Sequence, residues 1–323
     1  MTSILLQRRN VTERVQAVEP EWLRPGSDVV LWVDLAAPTP EEFRILSETF
    51  HFHPLAVEDA VADVPHPKIE PYDGYVYLIL HGIDFRAAQH RFATHDTDFF
   101  LGPNYLVTVH DGQTRTIQEM HAMCQRNGQI LAEGPVALMH RIIDLMVDHY
   151  RPEVEKLEAR LDSVEEGVFE AAERSMVRDI LTLKRDINSL RRVVLPQRDV
   201  VGRLARREFT FISDELAYRF RDVYDHLVRL SEEALLLQDR VTSILDAHLS
   251  NVSNRLNQQM KLLTLVTVIA LPFTVLGGLF GMNVHLPGIS SDNNDPRAFW
   301  WILAVAIGLV GLTLAFLRGK RSL

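Results

Sequence analysis

From Leu262 to Phe280 the chain carries no charged side chain. A helix of that length, rising about 1.5 Å per residue, reaches roughly the ~30 Å thickness of a bilayer's hydrocarbon core. Few folds accommodate such a segment, and it predicts a membrane-spanning helix within 258–283. A second apolar run goes from Phe299-Trp300-Trp301-Ile302 to Phe316-Leu317, with the Trp pair at one interface and Arg318, Lys320 and Arg321 at the other. The two spans make a C-terminal hairpin. Arg255 and Lys261 precede the first span, whereas the connecting stretch 284–298 holds only Arg297. This bias predicts both termini on the cytoplasmic side, the loop outside, and a multi-pass protein of the inner (plasma) membrane.

Composition narrows the partners. Of 323 residues, 47% are hydrophobic and 24% charged, enough for one sizeable soluble domain besides the hairpin. The net charge of -9 argues against nucleic acid, which wants a basic face, and suits a surface that gathers cations. Cys124 is the only cysteine, so one chain offers neither an internal disulfide nor a thiolate cluster. Ile4-Leu5-Leu6 is too short for a signal peptide and is followed by Gln7-Arg8-Arg9.

Residues 1–135 read as an α/β domain. Val29–Leu35, Tyr75–Leu80, Thr97–Leu101 and Tyr105–Val109 are short β-branched or aromatic runs bounded by turn residues, and Thr39-Pro40-Glu41-Glu42 is a helix start. His51 and His53 predict two unrelated surface imidazoles, not a soft-metal site. From 136 to 257 helical periodicity takes over: one segment over Val136–Phe169, one over Glu173–Val194 stopped near Pro196, and a third from about Glu208 into the membrane. If continuous to Phe280, the third is ~110 Å long and must pack against neighbours.

Two stripes run along this third segment. Leu216, Phe220, Val223, Leu227, Leu230, Ala234, Leu237, Val241 and Ile244 alternate steps of four and three, an apolar seam. About 200° round lies a polar, mostly acidic file of Tyr218, Asp222, Asp225, Arg229, Glu232, Leu236, Asp239, Ser243, Asp246, Ser250, Ser253 and Asn257, which continues without a phase break through Met260, Thr264, Thr267, Leu271, Thr274 and Gly278. In a soluble protein that face would be solvated. Inside a bilayer a polar line calls for water or a partner. Two spans cannot enclose a pathway, but several copies around an axis can. The file then supplies rings at Asp246, Asn257, Met260, Leu271, Thr274 and Asn283. Met260 and Leu271 are apolar rings of the kind that gate by dewetting, or else plain packing positions, and Pro272 frees one backbone carbonyl or merely bends the helix.

Gly281-Met282-Asn283 directly after a first span, then a short external loop, a second span and a basic tail, resembles the CorA family of divalent-cation channels and transporters. Arg221-Asp222-Val223-Tyr224-Asp225-His226 and Ser250-Asn251-Val252-Ser253-Asn254-Arg255 carry the same resemblance, clearest from Leu181 to Asn283. It implies a funnel-shaped homopentamer: an α/β cytoplasmic N-terminal domain, long helices, and the two-helix transmembrane hairpin, with spans at 258–283 and 299–318 and a tail at 319–323. It also implies that Gly281, Met282 and Asn283 form the selectivity filter. A neutral amide ring at Asn283 suits a cation that keeps its water shell, as Mg2+ prefers. Asp222 falls at the family's regulatory cation position between cytoplasmic domains, with Asp84 as its candidate partner. No tightly bound cofactor is expected; the partners are further copies of the chain, lipid, and the transported cation, which is also the candidate regulatory one.

The external loop reads Val284-His285-Leu286-Pro287-Gly288-Ile289, which is similar to the zinc-transporting ZntB branch, so Mg2+ (with Co2+ or Ni2+) and proton-coupled Zn2+ transport both stay open. A third reading is a membrane-anchored cation sensor. An enzyme is not expected, because the chain has no phosphate-binding glycine loop, nucleophile elbow or paired metal-hydrolase histidines. Without nucleotide motifs, transport is expected to run on gradient and membrane potential, about 2.3 kcal/mol per charge per 100 mV.

Overall fold

The computed structural model describes residues 2–9, 11–24, 26–62, 66–86, 91–170, 174–281 and 296–319. The chain divides into two compact units, Met1–Leu245 and Asp246–Leu323.

The first unit begins as a seven-stranded mixed sheet in the order β2-β1-β3-β7-β6-β5-β4: β1 (Thr2–Arg8), β2 (Val11–Val15), β3 (Val30–Ala36), β4 (Lys68–Tyr72), β5 (Tyr75–Arg86), β6 (Arg91–Leu101) and β7 (Tyr105–His110). Only β3 and β7 pair in parallel, with Val33 opposite Val107. Side chains alternate between the two faces. One face carries Leu31, Val33, Leu35, Tyr77, Ile79, Phe100, Val107 and Val109 and is closed by Leu46, Phe50, Phe52, Ala56 and Ala60 from α1 (Pro40–Arg44), the turn after it, and α2 (Pro54–Val61). The start of α1 follows from its sequence. Thr39 Oγ1 accepts from Glu42 N–H at 3.3 Å while the Glu42 carboxylate accepts from Thr39 N–H at 2.9 Å, a reciprocal cap with Pro40 in the first turn.

The other face of the sheet is more polar. Asp34, almost fully buried, accepts from the Thr108 hydroxyl at 2.6 Å and lies 3.2 Å from His110 Nε2 and 3.0 Å from His121 Nε2. His121 belongs to α3 (Arg115–Arg126) and stacks on Trp32 at 4.1 Å. After the short α4 (Gln129–Ala132) come α5 (Pro135–Asp148), α6 (Tyr150–Glu170), α7 (Arg174–Ala205) and α8 (Asp214–Gly281); α9 (Pro296–Gly319) closes the described chain. Helix α7 reaches back to the sheet through Gln197, whose Oε1 accepts from His81 N–H at 3.1 Å, and the Tyr150 hydroxyl donates to the His81 carbonyl.

Three helix boundaries differ from the sequence expectation. The segment expected as one over Val136–Phe169 is divided at His149. Pro152 has no N–H to return to the carbonyl four residues back, and the His149 ring turns to Thr116 (3.1 Å) and Glu119 (3.2 Å) on α3. Helix α7 does not stop at Pro196, because Val193, Val194, Gln197, Val200 and Val201 are all buried there and their packing outweighs one lost backbone bond. The last long helix starts at Asp214, not Glu208: Glu208 is held by Arg203 (2.7 Å) and Arg206 (2.9 Å), and the Ser213 hydroxyl accepts from Leu216 N–H at 3.3 Å to cap the new start.

Candidate functional site

The seam on α8 is where the sequence places it. Phe220, Val223, Leu227, Leu230, Ala234, Leu237, Val241 and Ile244 are buried, and Leu216 partly so. Phe220 meets the His140 ring of α5 edge-on at 5.1 Å. Ion pairs flank the seam: Arg219 with Glu133 (3.1 Å), Arg151 with Glu233 (2.9 Å), and Arg240 with both Asp162 (2.7 Å) and Glu165 (2.6 Å). With one face of α8 committed to α5, α6 and α7, the opposite face is left bare. Every member of the polar file from Tyr218 to Asp239 is exposed within the first unit, and every member from Asp246 to Gly278 within the second.

In the second unit, α8 carries the one stretch among the described residues long and apolar enough to cross a membrane, and α9 holds a shorter apolar stretch, Phe299–Ala315. Met260 and Leu271 stand 60% and 58% exposed on the polar file, beside exposed Asp246, Asn257 and Thr274. The file's threonine hydroxyls are satisfied inside the helix: Thr264 donates to the Met260 carbonyl (2.8 Å), Thr267 to Leu263 (2.9 Å) and Thr274 to Ala270 (3.0 Å). Their hydrogen bonding therefore makes no demand for water at membrane depth. All faces of the span are uncovered, Leu262, Leu263, Val266, Phe273 and Val275 among them, and the file differs from the others in its threonines. The helix passes through Pro272 without interruption and ends at Gly281. Met282 and Asn283 lie outside the described residues, as does most of the loop.

Asp222 is exposed on the cytoplasmic stretch of the file. Asp84 lies on β5 opposite Ala93 of β6, and its side chain is outside the described residues. One further acid feels the Asp222 charge: the Asp144 carboxyl on α5 is raised above its usual range by burial first, with the Asp148 and Asp222 carboxylates adding to the rise and His140 opposing it. Asp144 carries no signal in the sequence because an acid on an amphipathic helix is most simply read as solvated. Among the described residues no group of three or more His, Cys, Asp or Glu gathers closely enough to hold a metal ion. His51 and His53 are spent locally: His51 Nδ1 lies 3.1 Å from the Ser47 carbonyl, and His53 Nδ1 accepts from Leu55 N–H to cap α2.

Residues 27–321 match the family model described as CorA-like Mg2+ transporter protein. The putative metal ion transporter YfjQ of Bacillus subtilis is 32% identical over 271 residues, 84% of this chain and 81% of its own. The cobalt/magnesium transport protein CorA of Thermotoga maritima is 31% identical over 269 residues, 83% of this chain and 74% of its own. Among solved structures, the complete CorA magnesium transporter from Methanocaldococcus jannaschii superposes with a TM-score of 0.80 at 21% identity, over 98% of this chain and 97% of that one.

Proposed function

Because this chain belongs to the CorA family of divalent-cation transporters, we propose that its own substrate is Mg2+, with Co2+ and Ni2+ also accepted, and that the ion moves down its electrochemical gradient along a pathway lined jointly by α8 from several copies. The observation that carries this reading is the polar file of α8, uncovered in both units and set opposite a buried seam from Phe220 to Ile244. The family match and the two apolar helices support placement in a membrane, and the basic residues flanking the spans support cytoplasmic termini.

In this reading a pentameric ring sets Asp246 as a carboxylate ring that attracts any divalent cation by charge, with little discrimination. Asn257 and Thr274 offer neutral oxygens, and Met260 and Leu271 supply the apolar constrictions. Gly281 ends the helix so that Asn283 reaches the outer mouth, where its amide oxygens hold a hydrated ion. Asp222, with Asp84 or with Asp144, supplies oxygen ligands for a regulatory cation bridging two copies. Carboxylates so placed repel one another until the cation arrives, which would make the ion limit its own entry.

The test is uptake into liposomes of Mg2+, Co2+, Ni2+ and Zn2+ in turn, each at two pH gradients. Mg2+ uptake independent of the proton gradient is expected. Zn2+ uptake that follows the proton gradient would replace it with a proton-coupled zinc transporter, and cation binding without uptake would replace it with a sensor.

A further inference from the structure

At the start of α3 a cavity of about 120 Å³ is walled by β5 and β6 on one side and by the joint between α5 and α6 on the other. A water molecule's share of the liquid is about 30 Å³, so the space is that of roughly four waters, and it falls below the ~300 Å³ at which pockets for organic ligands begin. Its polar wall includes His95, Thr114, Arg115, Thr116, His149 and Glu153. None of the six belongs to the cation pathway.

The hydrogen bonds already made decide what each group can offer. The Glu119 carboxyl is held below its usual range, burial being outweighed by Arg115 and His149, so it only accepts. His149 Nε2, 3.2 Å from it, therefore carries the ring proton, and Nδ1 takes the Thr116 hydroxyl at 3.1 Å. Both residues are spent. His95 is turned to Asp111 at 2.7 Å. Arg115 gives Nε to Glu119 at 2.5 Å and keeps two terminal nitrogens without a partner among the described residues. Thr114 is the N-cap of α3 and only 3% exposed, yet its side chain takes no N–H of the first turn, and its hydroxyl hydrogen-bonds nothing among the described residues. A buried hydroxyl without a partner is costly, and the helix start beside it turns uncapped N–H groups and the positive end of its dipole toward the same space. Glu153 is held by Lys156 at 2.6 Å and, as a carboxylate, accepts further hydrogen bonds.

We propose that this cavity is a binding site for hydrogen phosphate. The Thr114 hydroxyl, the first-turn N–H groups of α3 and the Arg115 guanidinium donate to the anion's oxygens, and the Glu153 carboxylate accepts the proton that hydrogen phosphate keeps at neutral pH. Sulfate has the same shape and no such proton, so it would set an oxygen against Glu153, acceptor on acceptor. Arg115 and Lys156 offset Glu119 and Glu153, which leaves the donors rather than net charge to recognise the ligand. Once occupied, the site ties the start of α3 to the first turn of α6 across the break at His149.

Titration calorimetry of the full chain in detergent, without divalent cation, tests it with sodium phosphate against sodium sulfate at equal ionic strength. Phosphate should bind once per chain, and sulfate at least about tenfold more weakly. Glu153→Gln turns the acceptor into an amide that can also donate, and should bring the two anions within about twofold of each other. Thr114→Val keeps the shape and removes the hydroxyl: phosphate affinity should fall at least about tenfold while the thermal midpoint without anion stays the same or rises. Thr114→Ser should bind as the parent does. Equal affinity for both anions in the parent, binding of neither, or a Thr114→Val chain that binds phosphate as well as the parent overturns the proposal. Cation uptake takes no part in these readouts, so their failure leaves the proposed substrate standing.

Discussion

Asp98 and Asp34 lie on opposite faces of one sheet, and burial leaves them in opposite charge states. Asp98 takes the Tyr77 hydroxyl at 2.5 Å, yet burial first, and the Asp96 carboxylate with it, pushes its carboxyl up to about 8. Burial opposes the charge on Asp34 as well, but the His110 ring 3.2 Å away and the hydrogen-bonding contacts with His121 and Thr108 outweigh it and hold that carboxyl well below the usual range. The two therefore contribute to stability with opposite sign. Between about pH 4, where an unfolded aspartate titrates, and about 8, folded Asp98 binds a proton that the unfolded chain has lost, so its contribution declines as pH rises through that window. The Asp34 contribution is present above about pH 4 and fades as the medium turns more acid. Asp98→Asn should flatten the fall in thermal midpoint of the detergent-solubilised chain between pH 5 and 8. A variant whose midpoint falls as steeply as the parent's would show that Asp98 is not the group responsible.

Helix α7 holds the sheet by Gln197, and that joint predicts a measurable loss. Gln197 is fully buried, and Gln197→Ala strands the His81 N–H in the interior, which costs roughly 1–3 kcal/mol. Equilibrium unfolding in urea reads it, and a change below about 0.5 kcal/mol would mean that water replaces the amide. The same element marks what could be read in advance. Thr39-Pro40-Glu41-Glu42 announced α1 because cap, proline and acid lie within four residues, and the β-branched runs announced the central strands because they are buried on both faces. The α8 seam was legible for the same reason, its period being a property of the sequence alone. Pro196 misled and Pro152 went unread: whether a proline ends a helix depends on what the flanking residues bury, and that is decided by chain thirty or more residues distant. Within the candidate site the file itself was legible, but the influence of the Asp222 charge on Asp144 was not, since it depends on how α5 lies against α8.

At the scale of the whole molecule two substitutions separate conduction from control. Asn283→Ala should abolish selective uptake into liposomes while the assembled form survives size-exclusion chromatography, because it removes an acceptor ring but no packing between spans. Unchanged uptake with unchanged ion preference would end that assignment. Asp222→Ala addresses the cytoplasmic acids. Millimolar Mg2+ should slow limited proteolysis of the soluble part in the parent and not in the variant; the same digestion pattern in every sample would leave Asp222 a structural residue.

Helix α8 is unbroken from Asp214 to Gly281 and so belongs to both units of the chain. Its backbone hydrogen bonds fix the rise per residue, so such a rod neither telescopes nor stretches. Within the second unit a push on the rod is carried only as tilt or as roll about its own axis. Roll is the more consequential of the two, because every residue of a file turns through the same angle at once. A few tens of degrees would carry Met260, Leu271 and Thr274 off their line together and bring the neighbouring file in behind them. The stretch from Met260 to Thr274 would then act as a camshaft, its side chains sharing a single angular coordinate.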